Sequence, residues 1–223
     1  MSIVSCDKLN ETVYSSLVDE NAFSSEENAQ AAVNSIYAPM KSTYREPMFY
    51  INDISTDAGY KVGNCFEVFN ENAIFNDNRT RKAWDGFFQM VARANIAITN
   101  ISKMDDALFR NVSKDQLLSE AKFLRAYAYY NLTDIFYRVP LITSGDVEAV
   151  AKEPLASLEE IERVIENDLF DAKDYLPKQY SSRDEAGRPT YATVCGYLAR
   201  LYMRQAGRVR MHGGDDAPYW KYA

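Results

Sequence analysis

One long helix with two apolar faces constrains the fold of this chain more than any other feature. The pattern predicts it from residue 115 to residue 137, shortly before Pro140. An aliphatic row recurs every three or four positions, beside a second row of aromatic residues: Leu117, Ala121, Leu124, Ala128, Leu132 and Ile135, then Phe123, Tyr127 and Tyr130. A helix that is apolar on two sides must be packed between neighbouring elements. The chain is therefore expected to be layered and mostly α-helical.

Start and stop signals predict the neighbouring helices. Capping boxes, in which a Ser and a Glu or Gln three residues later satisfy the first backbone N–H groups, begin at Ser24, Ser113 and Ser157. They predict helices over 24–40, 113–137 and 157–176, and apolar periodicity adds 81–102 and 191–206, the last ending at Gly207. Helices 81–102 and 115–137 should form one antiparallel pair, and 158–176 and 191–206 another. Such pairs predict a tetratricopeptide-like solenoid.

The segment 41–80 has no helical periodicity, and it mixes aromatic residues with Asn and Asp. An irregular segment of this length inside a compact domain is usually functional or disordered, and the aromatic content argues against disorder. It is therefore expected to be an irregular, loop-rich lobe. Residues 207–218, which contain Gly213 and Gly214, are expected to form a second exposed loop.

Charge and cysteine usage narrow the class of partner. The net charge of −7 argues against nucleic acid as a partner, because a polyanion would be repelled. Cys6, Cys65 and Cys195 have no metal-ligand spacing, and Cys195 should be a buried apolar side chain on its helix. Neither a metal nor a cofactor is expected.

Catalytic groups are scarce. His212 is the single histidine of the chain and stands in a Gly/Asp-rich segment, so a Ser-His-Asp triad, a Cys-His pair or a multi-histidine metal site is not expected. Pairs of adjacent carboxylates stand at helix edges or in loops, where solvation or placement near a helix dipole explains them better than glycoside hydrolysis, as at Asp105-Asp106, Glu159-Glu160 and Asp215-Asp216. Asn95 and Arg125 lie among apolar helix positions and should satisfy buried polar partners. Trp84 should pack in the core. No enzymatic activity is expected.

Several motifs in sequence order resemble one known family. The central helix reads E-A-K-F-L-R-A-Y-A-Y-Y-N-L followed by D-I-F-Y-R-V-P-L-I-T, and the preceding helix contains Trp84-x-x-Phe87-Phe88. Gly187-Arg188-Pro189-Thr190 precedes G-Y-L-A-R-L-Y-M at 196–203, and Y-W-K-Y-A ends the chain. Together these motifs resemble the SusD/RagB family of surface lipoproteins. The resemblance covers nearly the whole chain.

The resemblance implies a fold and a function. It implies a right-handed tetratricopeptide superhelix that supports an irregular lobe, and noncovalent capture of an oligosaccharide, or of a peptide, at the cell surface. A SusC-like TonB-dependent transporter in the outer membrane would be the partner. Family members are longer, so residues 21–223 are expected to be the N-terminal helical part of such a protein. Residues 1–20 would be a tether lipidated at Cys6, because Val4-Ser5-Cys6 resembles the end of a lipobox.

The resemblance also implies a ligand site within 41–80. In glycan binders of the family, a loop just after a Thr-Asp step brings aromatic residues and an asparagine to the ligand. Thr56-Asp57 matches that step, so Asp57, Tyr60, Asn64 and Phe66 are the expected ligand-binding residues. The segment contains no tryptophan, which departs from the family pattern. The competing interpretation is that these rings fill a local core.

Two other functions remain open from the sequence. The concave face of a helical solenoid can bind a protein partner without any small ligand. A helical glycoside hydrolase is the other alternative, although it needs two carboxylates facing each other across a cleft.

Overall fold

The computed structural model describes residues 23–54, 78–144 and 154–221. The described part of the chain is mostly α-helical, as predicted, and within it the only β pairing is an isolated bridge between Pro140 and Leu155. The main helices are α1 (Glu26–Arg45), α2 (Asn78–Ile101), α3 (Lys114–Phe136), α4 (Leu158–Lys173), α5 (Tyr191–Met211) and the short α6 (Ala217–Trp220).

The predicted capping signals are largely confirmed. Ser113 caps α3 by accepting a hydrogen bond from the Gln116 backbone, and Ser157 forms the full capping box of α4 with Glu160. The box predicted at Ser24 is wrong by one residue, because Ser25 is the N-cap of α1 and accepts from the backbone N–H of Asn28.

Two predicted loops are partly helical. In the segment 41–80, α1 continues to Arg45 and is followed by a helical turn (Pro47–Phe49) and a π-helix (Tyr50–Ile54). Pro47 stands at the first position of its turn, where the missing N–H is not needed, so it begins helical structure instead of preventing it. Likewise α5 runs past Gly207 to Met211, and a left-handed glycine, Gly213 with φ +74°, follows its end.

Consecutive helices pack antiparallel, and this confirms both predicted pairs, since the end of α5 meets the start of α4 where Arg208 donates to Glu162. The start of α2 meets the end of α3, where the rings of Trp84 and Phe136 have their centroids 4.9 Å apart. The start of α3 meets the end of α4, where Lys122 contacts Asp171. The two-faced helix α3 therefore lies between α2 and α4, and Leu117, Ala121, Leu124, Ala128 and Leu132 of its aliphatic row are buried.

Helix α1 adds a further layer against α2. The helices approach closely at Gly86, where an added Cβ would lie 2.0 Å from the Thr43 hydroxyl oxygen. Thr43 is buried, and its hydroxyl donates to the Pro39 carbonyl within α1. This crossing therefore requires glycine at position 86 because any side chain would push the two helices apart.

A buried polar network joins three helices around Arg125. Its guanidinium donates to both carboxylate oxygens of Asp168 on α4 at 2.7 Å, and to the Asn95 side-chain oxygen on α2 at 2.8 Å. Asn95 then donates to the Ile142 carbonyl, and the Tyr129 hydroxyl donates to the same carbonyl while accepting from the Ile142 N–H. The predicted structural role of Asn95 and Arg125 is confirmed.

The Gly187-Arg188-Pro189-Thr190 motif lies in the connection between α4 and α5 and contacts α1 and α3. Arg188 donates to the buried carboxylate of Glu120 on α3 at 2.7 Å and to the Asn34 side chain on α1 at 2.6 Å. The Tyr37 hydroxyl donates to the same Glu120 oxygen at 2.5 Å. Gly187 has φ +99°, a conformation that glycine adopts without strain. The motif thus connects α1, α3 and the start of α5.

A third anchor lies at the first turn of α1. The carboxylate of Glu26 accepts hydrogen bonds from the backbone N–H groups of Arg110, Asn111 and Val112 in the connection between α2 and α3. The Asn111 side chain donates a further bond. These hydrogen bonds, of which the one from the Arg110 backbone contributes most, lower the pKa of Glu26.

Replacing Asp168 by Ala should destabilise the fold strongly. The Arg125 guanidinium would stay buried without its counterion, and removing one partner of a buried ion pair costs about 3 to 5 kcal/mol. The free energy of unfolding from urea titration measures this. Asp171→Ala is the matched control, because Asp171 pairs with Lys122 on the surface, where such a pair contributes about 1 kcal/mol or less. Equal losses in the two variants would contradict the role assigned to Arg125.

Stability should fall in acid partly through Glu26. Because its folded-state pKa is lowered, its contribution is fully present above the ordinary pKa of 4.5 and is lost as the pH falls through the folded value. Glu26→Gln should lower the urea midpoint at neutral pH and reduce the difference between neutral and acid midpoints. Glu27→Gln, at the exposed neighbouring position, should leave that difference as in the wild type. An unchanged difference in Glu26→Gln would refute this explanation.

Candidate functional site

The predicted site residues are outside the described part of the chain. Asp57, Tyr60, Asn64 and Phe66 fall between residues 54 and 78, and Cys6 precedes residue 23. Their roles therefore stay predictions. What the structure does show is the protein surface on either side of residues 55–77.

The segments of the chain just before and just after residues 55–77 contact each other. The Glu46 carboxylate, at the end of α1, lies 3.5 Å from Arg79 Nε and 3.6 Å from Lys82 Nζ at the start of α2. The Arg79 guanidinium lies 3.9 Å from the centre of the Tyr50 ring, which is a cation–π contact. Residues on both sides of the segment therefore meet at a single place on the surface.

An open cavity of about 690 Å³ lies at this place. We call it the α1 pocket, and it is lined by Lys41, Ser42, Arg45, Glu46, Phe49 and Tyr50. The Phe49 ring is 49% exposed and meets Tyr50 edge to face, with centroids 5.8 Å apart. The pocket thus offers an exposed flat ring beside hydroxyl, carboxylate, ammonium and guanidinium groups. That combination suits a polar ligand with an apolar face.

The sequence had indicated only part of this pocket. Phe49 and Tyr50 belong to the aromatic residues of the predicted loop, whereas Lys41, Arg45 and Glu46 were not expected in a site. The signal that could have found them is their spacing, since Lys41, Arg45 and Phe49 follow one another at four-residue steps of a continued helix.

Two other aromatic residues, Tyr44 and Trp84, pack against rings of the helical core. Tyr44 packs against Phe87 and Tyr127, with centroids 6.4 and 6.1 Å away, and its hydroxyl donates to the Asn131 side chain. Burial raises the pKa of Tyr44, so its hydroxyl stays protonated. Tyr44 therefore packs partly against the core, although 39% of it is exposed. Trp84 is also packed as expected, against Phe88 and Phe136.

Several carboxylates of the adjacent pairs have structural roles. Asp105 caps the short helical turn after α2, and Asp106 pairs with Lys114. Glu160 closes the capping box of α4, and Asp216 accepts from the Trp220 indole. His212 is exposed at the C-terminal end of α5, and Cys195 is half-buried instead of fully buried as predicted.

Within residues 23–54, 78–144 and 154–221, no group of three or more His, Cys, Asp or Glu side chains is arranged to hold a metal ion. In the same ranges, every helix is too short or too polar to traverse a lipid bilayer.

Comparison with known proteins identifies similar chains over most of the sequence. A family of SusD-like proteins, described as starch-binding and associating with the outer membrane, matches residues 7–203. SusD-like protein P2 of Formosa agariphila is 27% identical over 220 residues, which is 91% of this chain and 41% of that protein. A SusD-like protein of Bacteroides ovatus is 27% identical over 85% of this chain and 34% of its own length. The chain thus spans less than half the length of these relatives.

Solved structures agree in fold. A laminarin-binding SusD-like protein superposes with a TM-score of 0.70 and 25% identity, over 83% of this chain and 41% of that protein. A structure solved with a xylogluco-oligosaccharide gives a TM-score of 0.68 and 26% identity, over 80% of this chain and 35% of that one.

Proposed function

The chain belongs to the SusD-like family of starch-binding proteins that associate with the outer membrane, and from this premise we propose that it takes part in capturing glycans at the cell surface. In this proposal it binds an oligosaccharide without breaking any bond. A TonB-dependent outer-membrane transporter then receives the ligand. The family match over residues 7–203 is the observation on which the proposal depends.

Similarity to glycan binders supports the choice of ligand. One of the similar structures is a laminarin-binding protein, and another was solved with a xylogluco-oligosaccharide. Laminarin and xyloglucan are therefore the first ligands to try.

The α1 pocket and the neighbouring segment 55–77 are the proposed contact surface. The contacts of Glu46 with Arg79 and Lys82 place both flanks of that segment beside the pocket. We assign stacking on the sugar faces to Tyr60 and Phe66, with Phe49 as a further ring at the pocket. Asp57 and Asn64 are assigned hydrogen bonds to the hydroxyl groups. Sugar rings have apolar C–H faces and polar edges, so they need both kinds of group side by side.

The roles of the carboxylates support binding in preference to hydrolysis. A glycoside hydrolase needs one carboxylic acid and one carboxylate on opposite sides of the scissile bond. Among the adjacent carboxylates of the described chain, Asp106 instead forms an ion pair with Lys114, and Glu160 closes the capping box of α4. None of these positions belongs to the α1 pocket.

One observation favours a second function, as a scaffold for a protein partner. Exposed apolar side chains lie near the end of α5, where Met203 and Met211 are 51% and 84% exposed and line a cavity of about 360 Å³ with Tyr137. Exposed apolar surface of this kind is typical of interaction sites. Copurification of a transporter, with no heat of binding for any glycan, would favour the scaffold.

Removing the proposed stacking rings should weaken glycan binding. Tyr60→Ala and Phe66→Ala should each raise the Kd about fivefold, because a stacked ring contributes about 1 kcal/mol. Isothermal titration with laminarin and xyloglucan oligosaccharides measures this. Trp220→Ala is the control, since Trp220 is 49% exposed and lies on α6, outside the α1 pocket. Unchanged affinity in both ring variants would exclude the assigned site.

The proposed anchor predicts a change of location. Cys6→Ser should abolish incorporation of labelled palmitate and release the protein from the membrane fraction of its natural host, because a lipidated cysteine is the attachment point. Cys65→Ser and Cys195→Ser are matched controls and should stay membrane-bound. Membrane retention of the Cys6 variant would disprove the anchor without affecting the proposal on glycans.

A further inference from the structure

We propose a second saccharide-binding site, in a groove between the first half of α3 and the end of α4. This α3–α4 groove is an open cavity of about 510 Å³, within the size range of small-molecule sites. Its proposed contact residues are Asp115, Lys122, Phe170, Lys173, Asp174 and Tyr175. The inference rests on the proposed function, since both sites would bind the same polysaccharide.

Two exposed aromatic rings give the groove its apolar surface. Phe170 is 41% exposed and Tyr175 is 55% exposed, and neither ring belongs to the hydrophobic core. The neighbouring residues Leu169 and Ala172 supply the buried face of α4, so packing of that helix does not need a ring at position 170. The Lys173 ammonium lies 5.3 Å from the centre of the Phe170 ring, a cation–π contact that favours a defined ring position.

Polar groups surround these rings on both helices. Lys122 Nζ of α3 lies 2.8 Å from the Asp171 carboxylate of α4, which joins the two walls. Asp115 and Asp174 are exposed and can accept hydrogen bonds from sugar hydroxyls, while Lys173 can donate to them. Rings flanked by donors and acceptors match the chemistry of a saccharide, which has apolar faces and a hydroxylated edge.

The groove is preformed because its walls are fixed by buried contacts. Arg125 and Asp168 form their bidentate ion pair close by on the same two helices. The buried Ser119 side chain, which lines the groove, also contacts the Asp171 carbonyl at 3.5 Å. A rigid surface binds with a smaller loss of conformational entropy than a mobile one.

The groove is separate from the α1 pocket. The two cavities share no lining residue. The groove is lined by residues 115–122 of α3 and 170–175 at the end of α4, whereas the α1 pocket is lined by residues 41–50. A polymer that contacts both sites gains affinity through effective concentration, whereas a short oligosaccharide at one site does not.

Polymer and oligosaccharide binding should therefore respond differently to mutation. Affinity electrophoresis in gels that contain laminarin, xyloglucan or starch measures polymer binding, and titration with the matching oligosaccharides measures the first site. The Phe170→Ala/Tyr175→Ala double variant should weaken retention by the polymer about fivefold or more. It should leave the oligosaccharide Kd unchanged. Trp220→Ala should behave as wild type in both, and thermal unfolding of each variant checks that the fold is intact.

The outcomes separate the two proposals. If the Phe170→Ala/Tyr175→Ala variant is retained like wild type, while Tyr60→Ala/Phe66→Ala is not, the second site is wrong and the proposed function stands. If the wild-type protein binds none of the polymers, both proposals fail. Polymer retention that persists weakly in Tyr60→Ala/Phe66→Ala, and disappears when Phe170 and Tyr175 are also replaced, supports the second site.

Discussion

The paired guanidinium of Arg125 is the constraint on which the rest of this structure depends. An unpaired charge in a helical core would be prohibitively costly, so α2 and α4 must supply Asn95 and Asp168 at fixed positions. Burial by itself would lower the pKa of Arg125, but hydrogen bonding and the charge of Asp168 more than offset this and raise it, so the group stays charged. Apolar packing could tolerate small slips between helices, whereas this bidentate geometry fixes their register.

The same reasoning explains why the family motifs contain polar residues within apolar runs. In the central motif, Glu120 accepts a hydrogen bond from Arg188, Arg125 donates to Asp168, and Tyr129 donates to the backbone carbonyl of Ile142. Burial raises the pKa of Tyr129 to about 12, so it remains a donor at any physiological pH. These side chains hold helices together and do not line the α1 pocket. The motif therefore identifies the scaffold, and under the proposed function ligand choice would rest with surface residues such as Phe49 that the motif does not contain.

Apolar periodicity and capping residues were sufficient to predict the five long helices and both of their pairs, because a buried helix face and the unsatisfied backbone groups at helix ends restrict which residues can stand there. Helix ends were harder to predict. Gly207 looked like a stop, yet the left-handed conformation occurs at Gly213, and only tertiary packing decides which glycine ends the helix. The site was the least predictable part. Lys41 and Arg45 are ordinary surface residues in sequence, and they become pocket residues only because α1 continues past Met40.

The hydrogen bond between Arg188 and Asn34 joins residues 154 positions apart. In a simple repeat array each unit touches only its neighbours, and folding can spread from one repeat to the next. Here Tyr37 of α1 and Arg188 of the α4–α5 connection share the Glu120 carboxylate, so this contact is complete only when both elements have formed. Such distant closure raises contact order and slows folding. It also predicts that α1 and the start of α5 unfold together, because the same carboxylate holds both of them.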